Sequence, residues 1–334
     1  MTQRSVVGVL VIEVEEFGGP EVLVPREVPD LEAGAGEAVV KVTAADTLFV
    51  DTQIRSGRAQ EFFGVKPPYV PGGAVSGEVV SVGEGVDPAW IGRGIIAYTG
   101  DLEGHGGYAE QVVVAACGLV PVPGDLGLRE AAALVHDGVS AYGLFERAEI
   151  KPRDRVLVVG ATGGAGVLLI QLARARGATV IAAAREQRKL CLARGLGADI
   201  VVDYSEPDWA EHVRDATGGA GARVVLDGVG GEIGKAAFDA VASGGWMSAH
   251  GSPTGGFSVI DPEEAVRRQV TVQGIGDMQM GLGERKRAAA PVLEEAAAGR
   301  LRPLIGQTFP LERATEAHAA IEGRAVIGKT LLIP

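Results

Sequence analysis

The sequence predicts an α/β protein in which a β-rich, barrel-like part accompanies a doubly wound parallel sheet. Up to about residue 125, short Val-rich runs alternate with Gly and Pro turns, as in EAVVKVTAA and SGEVVSVG, which is typical of small barrels. Farther along, apolar strands such as RVLVVG and TVIAAA alternate with helical stretches, which indicates a parallel sheet covered on both faces. Fifty of the 334 residues are glycine, so we expect many tight turns or close backbone approaches.

The charge balance and the cysteines exclude several classes of protein. The chain has 31 basic and 43 acidic residues, a net charge of −12, so we expect no binding to nucleic acid or to anionic membranes. No run reaches the roughly 18 apolar residues of a membrane span, and the start of the chain is interpreted as a strand rather than a signal peptide. Two isolated cysteines, Cys117 and Cys191, support no disulfide framework and favour a cytoplasmic location.

A glycine-rich turn marks the start of the parallel sheet. Residues 155–166 read RVLVVGATGGAG, which places the turn after an apolar strand and before an amphipathic helix, where dinucleotide phosphates bind. Gly163 lets the backbone approach a pyrophosphate, Gly166 lets the helix pack on the strand, and the helix N-terminus supplies free N–H groups. The alternative is a tight turn without a ligand. The predicted contacts are Ala161, Thr162, Gly163, Gly164, Ala165 and Gly166.

The end of the second strand indicates which dinucleotide binds. NAD sites place Asp or Glu there to hold the ribose hydroxyls, whereas this chain has Ala184 followed by Arg185, Arg188 and Lys189. No carboxylate at position 184 repels a 2′-phosphate, and three cations are available to meet it. The pattern predicts NADPH rather than NADH, although a solvated helix start would have the same composition.

Several ordered motifs resemble the medium-chain dehydrogenase/reductase superfamily, in its zinc-free quinone oxidoreductase branch. The motifs are DTQIRSG (51–57), PYVPGGAVSGEVVSVGEGV (68–86), GGYAEQVVV (106–114), AAALVHDGVSAYG (131–143), GATGGAG (160–166), VVLDGVGG (224–231) and GRAVIGKTLL (323–332). The resemblance implies a GroES-like catalytic domain of residues 1–125, completed by 269–334. It also implies a Rossmann domain of residues 126–268 that binds NADPH, with the active site in the cleft.

The residue types at the superfamily's zinc positions argue against a metal. By motif alignment the three ligand positions of the zinc enzymes correspond to Leu48, Gly73 and His136. One nitrogen ligand out of three is too few for zinc, which needs four donors or three and a water. Without a Lewis acid, alcohol oxidation loses its usual activation, so the sequence predicts a zinc-independent enzyme.

The resemblance also assigns further cofactor contacts. It implies that Lys189 meets the 2′-phosphate, that Tyr204 lies at the adenosine end and that the backbone around 250–252 meets the nicotinamide amide. For Tyr204 the alternative is a partly buried aromatic residue at a strand end. The further contacts implied are Ser140, Gly228, His250, Gly251 and Ser252.

On the substrate side the sequence departs from the family. Many quinone reductases have Asn where this chain has Leu48, and a Tyr in the loop that here reads GRAQEFFGVKPPYV. Leu48, Phe49, Phe62 and Phe63 predict a pocket for a hydrophobic or aromatic acceptor. The alternative is that one or both of the last two pack in the domain core.

Three polar residues are candidates for catalysis. His136 is able to titrate near neutrality and to donate a proton to the reduced substrate, or else it makes a structural hydrogen bond to Asp137 or to the backbone. Asp51 and Arg55 orient substrate, or they pair with each other at i, i+4, which is the interpretation we favour. His105, in EGHGG, is expected to be a loop residue.

The sequence therefore predicts an NADPH-dependent reductase that transfers a hydride to a quinone or an α,β-unsaturated carbonyl. The alternatives are an enoyl-thioester reductase and a catalytically silent NADPH-binding protein of the same fold. By analogy with the family we expect a homodimer, paired through the strand in RRQVTVQGIG (267–276).

Overall fold

The computed structural model describes residues 8–99, 106–254, 256–278 and 280–334, so His105 lies outside the described residues. The chain divides into a terminal unit, Met1–His136 with Leu282–Pro334, and an inserted unit, Asp137–Gly281. The two unit boundaries, 136/137 and 281/282, lie C-terminal to the predicted domain boundaries at 125/126 and 268/269. The first does so because the helix at Leu128–Leu134 buries its alanines and packs against strands of the terminal unit.

The terminal unit contains mainly antiparallel strands. Its first segment forms β1 (Val9–Val14), β2 (Leu23–Val28), β3 (Glu37–Thr47), α1 (Phe49–Arg55), α2 (Gln60–Phe63), β4 (Ala74–Val82), β5 (Gly94–Tyr98), β6 (Gln111–Ala115), β7 (Val120–Pro121) and α3 (Leu128–Leu134). Strand β3 pairs with both β4 and β6. Val, Ile and Ala side chains of these strands form one buried core, as the alternating Val-rich runs predict.

The inserted unit is a six-stranded parallel sheet with helices between its strands. It comprises α4 (Asp137–Arg147), β8 (Arg155–Val159), α5 (Gly164–Ala175), β9 (Thr179–Ala184), α6 (Gln187–Leu196), β10 (Ile200–Asp203), α7 (Trp209–Ala216), β11 (Ala222–Asp227), α8 (Gly231–Asp239), β12 (Val241–Ala249), α9 (Pro262–Arg267) and β13 (Thr271–Gly274). The strand order is β10-β9-β8-β11-β12-β13, the order of dinucleotide-binding sheets, with the reversal between β8 and β11.

The terminal unit is completed by the end of the chain. This segment forms α10 (Leu282–Ala297), β14 (Ile305–Pro310), α11 (Ala314–Glu322) and β15 (Lys329–Ile333). Strand β15 runs antiparallel to β3, with Leu331 opposite Asp46. Helix α11 packs against α1 and buries His318. Residues far apart in sequence are thereby brought together.

The mixed α/β architecture confirms the predicted fold class, with a doubly wound parallel sheet in one unit and a β-rich fold in the other. Among the described residues, no helix combines the length and the apolar character that crossing a membrane requires.

Candidate functional site

The turn after β8 exposes backbone at the start of α5. Gly160 has a φ of +76°, which favours glycine, and the N–H groups of Gly160 and Ala161 each donate to the Ala183 carbonyl at 3.1 Å. Gly163 precedes the helix, is exposed and provides no side-chain cap. The first N–H groups of α5 therefore have no side chain over them, which suits an anionic ligand.

Two glycines of this turn differ in the space around them. A Cβ at Gly166 would lie 2.4 Å from the Gly160 oxygen, whereas a Cβ at Gly163 would find its nearest neighbour, the same oxygen, at 3.4 Å. Gly166 therefore allows the helix to pack closely on the turn, whereas a Cβ at Gly163 would make only an ordinary van der Waals contact. Of the other predicted contacts, Ala161 and Thr162 are buried, and Gly164 and Ala165 are half-buried.

Basic side chains gather beyond β9. The Arg185 guanidinium lies 6.0 Å from the centre of the half-buried Tyr204 ring, and its buried Nε has no hydrogen-bond partner among the described residues. Lys189 is buried, with Nζ 3.5 Å from a Glu186 carboxylate oxygen, while Arg188 is exposed. A guanidinium nitrogen without a partner, as at Arg185, is a suitable donor to a phosphate.

Glu186 is a feature of this cluster that the sequence reasoning missed. It has a φ of +70° although it is not glycine, and its carboxylate contacts Lys189. A non-glycine residue in this backbone region is strained by about 1–3 kcal/mol, and such strain clusters at functional sites. The sequence signal that could have identified Glu186 is its position, as an acid directly after Arg185 and three residues before Lys189.

Asp227, at the end of β11, organises two glycine-rich loops. Its buried Oδ1 accepts from the N–H groups of Val229 and Gly230, at 2.9 and 3.0 Å. Its backbone carbonyl accepts from the N–H groups of His250 and Gly251. The loops after β11 and β12 are therefore fixed to one another, and sequence reasoning did not identify Asp227.

The loops meet so closely that only glycine fits at some positions. A Cβ at Gly251 would lie 1.9 Å from the Gly228 carbonyl carbon. His250 Nδ1 is 3.1 Å from Ser248 Oγ, and burial lowers the pKa of His250 against the opposing charge of Asp227. Ser252 is half-buried in the same loop, and Ser140 is exposed on α4.

In the terminal unit, His136 is held by Asp46. His136 Nδ1 lies 2.7 Å from Asp46 Oδ2, and the other Asp46 oxygen lies 2.5 Å from Lys329 Nζ. The structural alternative stated from the sequence, a hydrogen bond to Asp137 or to the backbone, named the wrong partner for Nδ1, because β3 carries a carboxylate that the sequence reasoning did not consider. Burial alone would raise the pKa of Asp46, but Lys329 and His136 outweigh it and hold that pKa below its usual value.

The residues at the three positions that align with zinc ligands, Leu48, Gly73 and His136, all belong to the terminal unit. A Cβ at Gly73 would lie 3.1 Å from His136 Cε1 and 3.3 Å from Nε2, so these two residues adjoin. Leu48 precedes α1, and its N–H donates to Asp51 at 2.8 Å. Throughout the described part of the chain, no group of three or more His, Cys, Asp or Glu side chains is arranged to hold a metal ion.

Asp51 and Arg55 do not pair with each other, which corrects the favoured interpretation. Asp51 accepts from Tyr108 Oη at 3.1 Å, while Arg55 forms its ion pair with Glu322 of α11. Both side chains are buried, with 5% and 1% exposed. The i, i+4 rule fails here because both side chains turn into the unit, where α11 and the strands supply partners.

A chain of buried hydrogen bonds continues from Asp51. Tyr108 Oη also lies 2.9 Å from His318 Nε2. Burial raises the pKa of Asp51 to about 6, with the Leu48 N–H opposing it. Burial, then the charge of Arg55, lowers the pKa of His318 to about 3. Neither Tyr108 nor His318 was identified from the sequence.

The predicted apolar pocket residues are at least partly accessible. Phe62 and Phe63 are 69% and 51% exposed on α2, so the alternative that they pack in the core is wrong. Leu48 and Phe49 are half-buried at the start of α1.

Comparisons with known proteins agree with this architecture. Residues 34–124 match the family described as alcohol dehydrogenase GroES-like domain, and residues 164–293 match the family described as zinc-binding dehydrogenase. The 2-haloacrylate reductase of a Burkholderia species is 31% identical over 98% of this chain and 99% of its own.

Two solved structures extend the comparison. An NAD-dependent alcohol dehydrogenase has 33% identity and a TM-score of 0.88, over 97% of this chain and 99% of its own. The Escherichia coli quinone oxidoreductase, solved in complex with NADPH, has 28% identity and a TM-score of 0.88, over 97% of this chain and its full length.

A GroES-like unit with an inserted Rossmann unit is the architecture that the chain shares with these dehydrogenases and reductases. The chain belongs to the medium-chain dehydrogenase/reductase superfamily, in its quinone oxidoreductase-like branch, and is an oxidoreductase.

Proposed function

We propose that the protein is a zinc-independent, NADPH-dependent reductase that transfers a hydride to a quinone or to an α,β-unsaturated carbonyl. The observation that carries the proposal is the group of basic residues after β9, where Arg185 has a buried nitrogen without a partner and Lys189 follows four positions later in the chain. No acid stands at position 184 to hold ribose hydroxyls in the manner of NAD sites. The NADPH in the E. coli relative supports the same cofactor.

The residues of the inserted unit fit this dinucleotide. The exposed backbone at Gly163 and the first turn of α5 would hold the pyrophosphate. Arg185, Lys189 and Arg188 would meet the 2′-phosphate, with Tyr204 beside the adenine. The remaining contacts would come from Ala161, Thr162, Gly164, Ala165, Gly166, Ser140, Gly228, His250, Gly251 and Ser252.

NADPH supplies a hydride, which is two electrons with one proton, to an electron-poor carbon or oxygen of the acceptor. The protein holds both partners in place and meets the negative charge that develops on the acceptor oxygen. His136 is the candidate to supply the balancing proton, with solvent as the other source. Leu48 and Gly73 offer no ligand atom for zinc, which supports chemistry on a conjugated acceptor rather than on an alcohol.

The acceptor is expected to be hydrophobic. Leu48 and Phe49 lie at one end of α1, and Phe62 and Phe63 leave much of their rings accessible. The names of the relatives, 2-haloacrylate reductase and quinone oxidoreductase, both denote acceptors whose C=C bond is conjugated to a carbonyl group. The names favour a conjugated acceptor, and the accessible apolar side chains favour an aromatic quinone or an aryl enone.

The test is loss of NADPH absorbance with 9,10-phenanthrenequinone, an aryl enone and crotonyl-CoA, after treatment with a metal chelator. We expect turnover with the first two, no effect of the chelator and little turnover with the thioester. Turnover of crotonyl-CoA alone would indicate an enoyl-thioester reductase. Binding of NADPH without turnover of any acceptor would indicate a silent binding protein.

We also propose that the protein forms a homodimer through β13. This strand ends the parallel sheet and is bonded on one side by β12, so its other edge can pair with a second copy. Light scattering would test the mass in solution. A monomer at micromolar concentration would contradict the proposal.

A further inference from the structure

In the terminal unit, the candidate proton donor His136 contacts a buried ion pair formed by Asp46 and Lys329. Asp46 has no exposed surface, and its two carboxylate oxygens have different partners, His136 on one side and Lys329 on the other. We infer that Asp46 and Lys329 are positioning residues that orient His136 for delivery of a proton to the reduced acceptor. The inference rests on the proposed function and adds two residues to it.

The contact with Asp46 fixes the direction of the His136 imidazole. A carboxylate only accepts hydrogen bonds, so the 2.7 Å contact requires that Nδ1 carries a hydrogen. The other nitrogen, Nε2, is then the one available for proton exchange. Tyr98 supports the ring from the side, with its centroid 5.4 Å from that of His136, and its hydroxyl donates to the Val135 carbonyl at 2.8 Å.

Lys329 keeps Asp46 in its ionised form. A carboxylate removed from water tends to take up a proton, and a protonated Asp46 could itself donate to His136, so it would no longer fix the hydrogen on Nδ1. The Lys329 ammonium, itself 4% exposed, lies 2.5 Å from Oδ1 and stabilises the ionised form. Lys329 therefore acts on His136 through the carboxylate rather than by contact.

Part of the His136 ring away from Asp46 is accessible. The His136 side chain is 21% exposed although the carboxylate at its Nδ1 is fully buried, so its exposed surface lies on the rest of the ring. Gly73 adjoins this edge, where a Cβ would approach Cε1 and Nε2 to 3.1 and 3.3 Å. Glycine at position 73 therefore leaves room at the nitrogen that exchanges the proton.

The proton balance follows from these contacts. Hydride addition to an enone adds two electrons and one proton to the acceptor, which then carries one negative charge. The His136 Nε2–H bond breaks and a C–H or O–H bond forms on the acceptor, leaving neutral His136 still bonded through Nδ1–H to Asp46. Solvent then returns a proton to Nε2, and Asp46 stays ionised throughout.

Two readouts test this arrangement in the intact protein. In protein labelled with nitrogen-15 in its five histidines, NMR of neutral His136 should show the hydrogen on Nδ1, and Asp46→Asn should abolish that preference. With NADPH and an aryl enone, Asp46→Asn and His136→Gln should each lower kcat by about 100-fold, with the KM for NADPH unchanged and an altered solvent deuterium isotope effect.

A second variant guards against misfolding, because Asp46→Asn alone leaves Lys329 buried without its counter-charge. The double variant Asp46→Asn, Lys329→Met removes both charges and should show the same loss of kcat. The exposed pair Asp208 and His212 offers matched controls, so Asp208→Asn and His212→Gln should keep full activity.

Each outcome has a distinct meaning. Folded Asp46 variants with unchanged kcat and isotope effect would overturn the positioning role, and so would a hydrogen found on Nε2 of neutral His136. No turnover by the unmodified protein with any acceptor would overturn the proposed function and with it the donor role. NMR would in that case still decide whether Asp46 sets the state of His136.

Discussion

Gly166 lies so close to the carbonyl of Gly160 that a Cβ would stand 2.4 Å from its oxygen. The contact packs α5 directly against the turn after β8. Because no side chain separates the two, the direction of the helix N-terminus is fixed. Other glycines of the chain have no such neighbour, Gly195 of α6 among them.

The first prediction concerns this contact. Gly166→Ala should lower the free energy of unfolding by about 1–3 kcal/mol, because the backbone must move to admit a methyl group, and it should weaken NADPH binding. Gly195→Ala is the matched control, with open space and helical backbone, and should stabilise by up to about 1 kcal/mol. Thermal unfolding followed by circular dichroism measures both. Equal effects from the two changes would contradict the packing role of Gly166.

The second prediction concerns the 2′-phosphate. Arg185→Ala should raise the Kd for NADPH by about 10- to 100-fold, because it removes a charge-assisted hydrogen bond. The Kd for NADH should stay the same, since NADH lacks that phosphate. Fluorescence titration measures both constants, and Arg194→Ala, an exposed arginine on α6, serves as the control. If Arg185→Ala weakens both cofactors alike, the phosphate contact is not the cause.

The third prediction concerns Glu186. Its carboxylate lies 3.5 Å from Lys189 Nζ, where it would compete with the phosphate for the lysine. Glu186→Gln should therefore strengthen NADPH binding several-fold at low salt, and the gain should shrink as salt is added. Titration at two ionic strengths tests it. Weaker NADPH binding by the variant would show that the acid helps to hold the lysine in place.

The fourth prediction concerns pH and His318. Its folded pKa of about 3 lies below the ordinary value of 6.5. Between these two pH values His318 is therefore protonated in the unfolded chain and neutral in the folded one. The contribution of His318 to the free energy of unfolding is fully present above about pH 6.5. It is lost as the pH falls toward 3, by at most about 5 kcal/mol. Asp51 acts in the opposite sense, since its raised pKa of about 6 makes stability fall as pH rises from 3.8 to 6.

His318→Asn is the test of that prediction. The variant should lose part of its stability at neutral pH, with the contact to Tyr108, but its stability should fall less between pH 6.5 and 4 than that of the unmodified protein. Urea unfolding at several pH values measures the slope. Parallel pH profiles for the two proteins would assign the acid sensitivity to other groups.

The fold and the cofactor turn are local features and could be predicted. Apolar runs of β-branched residues predict buried strands, and the turn beyond β8 has its glycines where backbone must approach a ligand. The same local logic failed for Arg55, because the i, i+4 rule considers one helix and the real partner, Glu322, comes from α11.

Asp46 shows why the rest of the candidate site was missed. In the sequence it is one acid within AADT, and its meaning depends on Lys329 arriving from β15. That meeting is set by the antiparallel register of β15 on β3, in which Leu331 stands opposite Asp46. Register between distant strands depends on tertiary packing rather than on local pattern. Tyr108 and His318 were missed for the same reason.

The pairing of β3 with β15 has a consequence for biosynthesis. A ribosome adds about 5–20 residues each second, so β3 emerges many seconds before its neighbour β15 exists. The inserted sheet, whose strands are contiguous from 155 to 274, can fold during that interval. Asp46 meanwhile lacks its lysine, and the exposed edge of β3 is open to other strands. Nascent chains halted before residue 329 are therefore expected to need a chaperone that shields this edge.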